Sequence, residues 1–178
     1  MDYRMKIDAL KEMSSSKQRT FAYLTCERLY PYYVYFSDNF GFGDASVLRE
    51  AIDYLFSNLF DVDPDKNKTE LLVKEVEKNT PDTEDFTTEF VSSALDACTA
   101  VTESLEFLMD KKFLRIKDIA AFGMDTVEMN GNPLFIEREI AVQSGIVTFL
   151  GNCKTLDLED VRTLLHLQEN DGKGSLEL

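Results

Sequence analysis

Apolar residues recur at three- and four-residue spacing through almost the whole chain, the mark of helices with one face turned inward. The pattern predicts a short first helix over about residues 3–13. A second starts near residue 16 and carries Phe21, Leu24, Tyr32 and Phe36 along one face. Pro31 falls inside it, removing a backbone donor and crowding the preceding turn, so a kink or break is expected there. Residues 32–36 alone are rich in strand formers, but the stripe runs through the proline at helical spacing, which favours helix. Gly41 or Gly43 can take the left-handed conformation that closes this helix, and Asp44 can cap the next.

The third helix, about residues 45–60, places Leu48, Ile52, Leu55 and Leu59 on one side. An acidic turn follows, with Asn67 as the expected cap and Glu70 completing a capping box. The helix from there to about residue 78 has only Leu72, Val73 and Val76 as an apolar stripe and should lie at the periphery. Thr80-Pro81-Asp82 reads as cap, first-turn proline and acid, hence another helix start.

From about 89 to 110 comes the clearest helix, with Val91, Ala94, Cys98, Val101, Leu105 and Leu108 in one stripe. Ser93, Ala97, Ala100 and Ser104 form a second stripe of small residues that lets neighbours approach closely, which makes this the expected central helix. Helices over about 114–129, 133–150 and 156–169 complete the set, and a polar tail begins at about 170. The fold class is all-α: one domain over 1–178, built as a bundle of about seven to eight helices.

Charge narrows the functions open to such a bundle. With 33 acidic and 19 basic residues the net charge is −14, a field that repels nucleic-acid backbones. No run is long and apolar enough for a membrane span, and residues 1–4 open no signal peptide. Cys26, Cys98 and Cys153 are too scattered for a disulfide framework and suit a reducing cytoplasm. His166, the single histidine, reads as a surface residue near a helix end. No metal site or cofactor is expected. The glycine loop at 41–44 lacks a phosphate-binding lysine, and the acidic turn at 61–67 has Lys66 and Leu72 where a calcium loop needs glycine and glutamate.

Twelve of the 20 Phe and Tyr residues lie between Phe21 and Phe60, and an arginine in the middle of their stripe must be accommodated by the core. That residue is Arg28, which projects with Phe21, Thr25, Tyr32 and Tyr35. A buried guanidinium without a partner costs several kcal/mol, on the order of 3–5. Gln143 falls on an apolar stripe with Glu139 one turn earlier, and Asp96 and Glu103 share one side of the central helix. These five residues form the candidate set, with Glu27, Arg49 and Asp53 secondary to it. Two readings stand. In one they are an ion-pair network that fixes helix register; in the other they line a pocket in which Arg28 holds a ligand carboxylate.

The run from Cys26 to Tyr33 (Cys-Glu-Arg-Leu-Tyr-Pro-Tyr-Tyr), Phe42-Gly43-Asp44, and Arg49 with Asp53 resemble the YjaG-like bacterial family, domain of unknown function 416. Leu95-Asp96-Ala97-Cys98, Glu103, Asn132-Pro133 and the Glu139, Gln143 pair continue the resemblance. Phe56 departs from it, standing where a tryptophan is expected. The resemblance implies a compact, cytosolic, all-helical bacterial protein and assigns no reaction. The expectation for function is a helical module, leaning away from an enzyme, that acts through protein partners or as a homo-oligomer. The alternative is a small-molecule binder or enzyme centred on Arg28.

Overall fold

The computed structural model describes residues 3–60 and 63–170, and these form eight α-helices with no strand among them. They are α1 (Tyr3–Asp8), α2 (Ser15–Phe40), α3 (Ala45–Ser57), α4 (Lys66–Lys78), α5 (Phe90–Asp110), α6 (Phe113–Met129), α7 (Pro133–Asn152) and α8 (Leu158–Asn170). The expected polar tail, and part of the acidic turn at 61–67, lie outside the described residues. None of the described helices is long and apolar enough to cross a membrane.

Helix α5 is the axis, as its two stripes predict. It packs against α2, α3, α4 and α6. The small-residue stripe of Ser93, Ala97, Ala100 and Ser104 is buried together with the Val91–Cys98–Leu105 stripe. Small side chains on one face let α2 come close enough for Cys26 Sγ to lie 3.3 Å from Ser104 Oγ. Helix α2 is the second organiser, touching α3, α5, α6, α7 and α8. It buries Phe21, Leu24, Leu29, Tyr33 and Phe36, and each such side chain is worth roughly 1.5–3 kcal/mol on removal from water.

Local signals hold at the turn between α2 and α3. Gly41 closes α2 in the left-handed region at φ 65°, and Asp44 caps α3 by accepting from the Ser46 amide at 2.8 Å. Gly43, at φ 70°, packs so tightly that an added Cβ would lie 2.1 Å from Tyr33 Oη. Tyr33 Oη in turn donates to the Asn79 carbonyl at 2.6 Å, tying the end of α2 to the end of α4.

Helix α2 continues through the exposed Pro31 without a break. Three local expectations need correction. Asp65 caps α4, its carboxylate accepting from the Lys68 amide at 3.1 Å, while Asn67 lies inside the helix. Thr80-Pro81-Asp82 starts only a 3-10 turn over Thr83–Asp85, capped by Asp82. Thr80 faces backwards instead, donating its hydroxyl to the Val76 carbonyl at 2.9 Å at the end of α4. The first helix is also split, α1 giving way to a 3-10 turn over Ala9–Glu12.

Candidate functional site

Arg28 enters the core from the middle of α2 and is 7% exposed. Its Nη2 donates to Glu139 Oε1 on α7 at 2.9 Å and to Thr25 Oγ1 at 3.2 Å. Its Nη1 donates to Gln168 Oε1 on α8 at 2.5 Å and to the Leu24 carbonyl at 3.2 Å. Gln143, one turn after Glu139, donates its amide to Glu139 Oε1 at 2.7 Å and to the Ala120 carbonyl on α6 at 3.0 Å. One carboxylate oxygen thus accepts from both an arginine and a glutamine, and the cluster joins α2, α6, α7 and α8. Glu139 and Gln143 are 1% and 0% exposed, so the pair is held out of water. Within the cluster Arg28 Nε is buried with no hydrogen-bond partner among the described residues.

Close approach of α6 makes this arrangement possible. Gly123 faces the pair, and a Cβ there would fall 2.8 Å from Glu139 Oε1 and 3.0 Å from Gln143 Nε2. Tyr32 sits beside the cluster, its phenol pushed up by burial first and by the Glu139 carboxylate second.

The other two members of the candidate set face α6 and make separate contacts. Asp96, half-buried, accepts from Thr126 Oγ1 at 2.8 Å. Burial pushes its carboxyl up to about 6, the Thr126 hydrogen bond opposing and the charge of Asp125 adding. Glu103 pairs with Arg115 at 2.6 Å, and Arg115 also binds Glu106 and Asp110. Arg28, Glu139 and Gln143 therefore converge, while Asp96 and Glu103 make their own contacts with α6.

The secondary trio forms a third cluster on α2 and α3. Arg49 binds both oxygens of Glu27, at 2.9 and 2.8 Å, and its Nε donates to Asp53 Oδ1 at 2.9 Å. The guanidinium also lies 5.1 Å from the centre of the Tyr30 ring. With all these contacts the side chain is still 30% exposed, so this is a surface clamp between two helices.

Nucleophile chemistry has little support in the thiols. Burial pushes Cys26 up to about 12, and Cys98 likewise to about 12. Each is then a neutral thiol at physiological pH. His166 is exposed on α8.

A concave feature partly lined by apolar side chains lies elsewhere, between α1, α6 and α7. It is a groove of about 720 Å³ whose apolar wall includes Ile7, Ala121, Met124, Ile136 and Ile140. Asp8, Asp118, Asp125 and Glu128 line it with Lys117, whose Nζ is 3.1 Å from Asp8. Ala120 belongs to both places, lining the groove while its carbonyl accepts from Gln143.

Sequence reasoning missed Gln168, Thr25 and Gly123 as members of the Arg28 cluster. Gln168 had a legible signal, since it continues the buried Val161, Leu164 stripe by one turn. Gly123 had none, because only the position of α7 shows what it makes room for.

A family model, that of the proteins of unknown function DUF416, matches residues 6–130. Two uncharacterised proteins called YjaG, from Escherichia coli strain K12 and Salmonella typhimurium strain LT2, are 29% and 28% identical to the chain over 171 residues. Each alignment covers 87% of this chain and 86% of the relative. A solved structure of a DUF416 family protein from Shewanella baltica OS155 matches with a TM-score of 0.85 at 23% identity, over 97% of both chains. At that identity the likeness concerns the fold.

Proposed function

The chain belongs to the DUF416 family, whose function is unknown, and from that premise we propose that it is a non-enzymatic helical module that docks a partner protein. The observation that carries this reading is the groove between α1, α6 and α7. Its apolar wall is suited to the apolar face of a helix, and its four carboxylates against one lysine favour a basic flank on that helix. The occupant is therefore an amphipathic, Lys- or Arg-bearing helix of another protein. A second copy of this chain fits less well, since each carries a net charge of −14.

The Arg28 cluster is scaffold in this proposal. What supports it is that both Nη atoms are engaged by neighbouring helices, and that Glu139 supplies the countercharge a ligand carboxylate would otherwise supply. Three unpaired cysteines support a reducing, cytoplasmic setting as part of the same proposal.

A designed leucine–lysine peptide with helical periodicity tests the groove. Binding should be one-to-one, should raise the peptide's helicity, and should perturb Met124 and Ile140 in methyl and amide spectra. Asp118→Lys with Asp125→Lys should weaken it by about tenfold or more, while the equally charged change Glu50→Lys with Glu70→Lys, outside the groove, should have a small effect. Equal losses from both changes would reduce the interaction to bulk charge and sink the groove reading.

A further inference from the structure

A second surface, sharing no residue with the groove, has a chemistry of its own. At the end of α2 and the start of α5, six rings form a continuous chain from core to solvent. Phe36, fully buried, contacts Phe40 at 5.2 Å, Phe42 at 6.2 Å and Phe86 at 4.9 Å between ring centres. Phe90 then bridges Phe40 at 6.5 Å and Tyr35 at 4.9 Å. Tyr35 and Phe40 are 36% and 39% exposed, so both residues reach water in part while their inner neighbour Phe36 is anchored in the core. Gly41 and Gly43, both left-handed, turn the chain so that Phe42 packs back under this patch.

The charge around these rings is one-sided. No lysine, arginine or histidine occurs between Arg28 and Arg49, or between Lys78 and Lys111, and all six rings come from those two stretches. Asp38, Glu84, Asp85 and Glu89 flank the rings in sequence, and all four are exposed. Ring faces carry a negative quadrupole and attract cations, the planar guanidinium above all because it also stacks. The exposed carboxylates that flank the rings in sequence add acceptors for the bidentate hydrogen bonds a guanidinium donates.

We infer that the Tyr35–Phe40–Phe90 surface is a binding site for arginine side chains of a basic, extended segment of a partner protein. Lysine segments gain the charge attraction there but lose the stacking. The surface thus discriminates by ring contact, whereas the groove discriminates by apolar helix face.

A hexa-arginine peptide and a hexa-lysine peptide of equal charge are the probes, with fluorescence anisotropy and aromatic resonances as readouts. The arginine peptide should bind at least about fivefold more tightly than the lysine peptide, and should shift the Tyr35, Phe40 and Phe90 ring signals. The double variant Tyr35→Leu, Phe40→Leu keeps apolar bulk but removes two ring faces. It should bring arginine affinity down to near the lysine level while lowering lysine affinity by much less, so that the preference is lost. Equal binding of the two peptides to the unaltered protein would overturn the inference, as would undiminished arginine preference in the leucine variant. Ile140→Glu in the groove should not move either affinity, so failure here and failure of the groove proposal are read separately.

Discussion

Arg28 Nη2 and Glu139 Oε1 lie 2.9 Å apart across 111 residues of chain, both side chains almost wholly out of water. A buried pair of this kind contributes little net stability over an apolar pair of the same shape, because desolvation offsets the attraction. Its members nonetheless depend on each other. With Glu139 1% exposed, its carboxylate cannot turn to water when the arginine is removed.

Arg28→Met should therefore destabilise the protein by about 3–5 kcal/mol near neutral pH, since it strands a buried carboxylate. Adding Glu139→Met should restore most of the loss. Urea unfolding of the two single variants and the double variant measures this, and a double variant no more stable than Arg28→Met would contradict the pairing.

Gly123→Ala tests the close approach of α6 to the same pair. The new Cβ would sit 2.8 Å from Glu139 Oε1, and crowding of this kind costs about 1–3 kcal/mol. Gly145 on α7 is the control, with nothing within 4 Å of an added Cβ. Gly145→Ala should stabilise by about 0.5–1 kcal/mol through helix propensity alone. Opposite signs in thermal unfolding are the expected result.

Asp96 gives a pH dependence. Its folded carboxyl titrates near 6, held up chiefly by burial, against 3.8 for the ordinary group. Between those values the folded state binds the proton and the unfolded state does not, so this group's contribution to stability falls as pH rises through about 6. Discounted for partial exposure, the penalty above that range is about 1–2 kcal/mol. Asp96→Asn should relieve it near pH 8 and gain little near about pH 4, with the Thr126 hydroxyl still donating to the amide oxygen. Chemical unfolding across pH, variant against parent, isolates this residue.

Thiol alkylation should separate the cysteines. Cys26 and Cys98 are buried and held protonated, whereas Cys153 at the end of α7 is partly exposed. Iodoacetamide should label Cys153 first, and the other two at a rate set by unfolding. Early labelling of Cys26 would mean that the α2–α5 contact opens locally.

Helix number and order are legible in the sequence because each helix must bury a stripe, and the stripe's period is written in the residue order. Arg28 and Gln143 stood out for the same reason: each puts charge or polarity where the period demands an apolar side chain, and Glu139 came in as the carboxylate one turn before Gln143. Which carboxylate meets Arg28 was not legible, since it depends on how α7 lies against α2, which no local pattern encodes. Asp96 and Glu103 were drawn into the set by sharing a side of α5. That side turns out to meet α6, where Thr126 and Arg115 answer them separately. The Thr80-Pro81 signal failed because its threonine closes the preceding helix instead of opening the next. The groove and the aromatic surface are made by elements remote in sequence, so neither shows as a motif.

The order of synthesis gives the Arg28 cluster one more consequence. Its covering groups, Glu139 and Gln168, lie 111 and 140 residues downstream of the arginine. A chain emerging from its N-terminus can assemble α2 through α6 while the guanidinium still faces water. Only when α7 and α8 have left the ribosome can that charge be enclosed, so closure of this core waits for groups 111 and 140 residues downstream of the arginine.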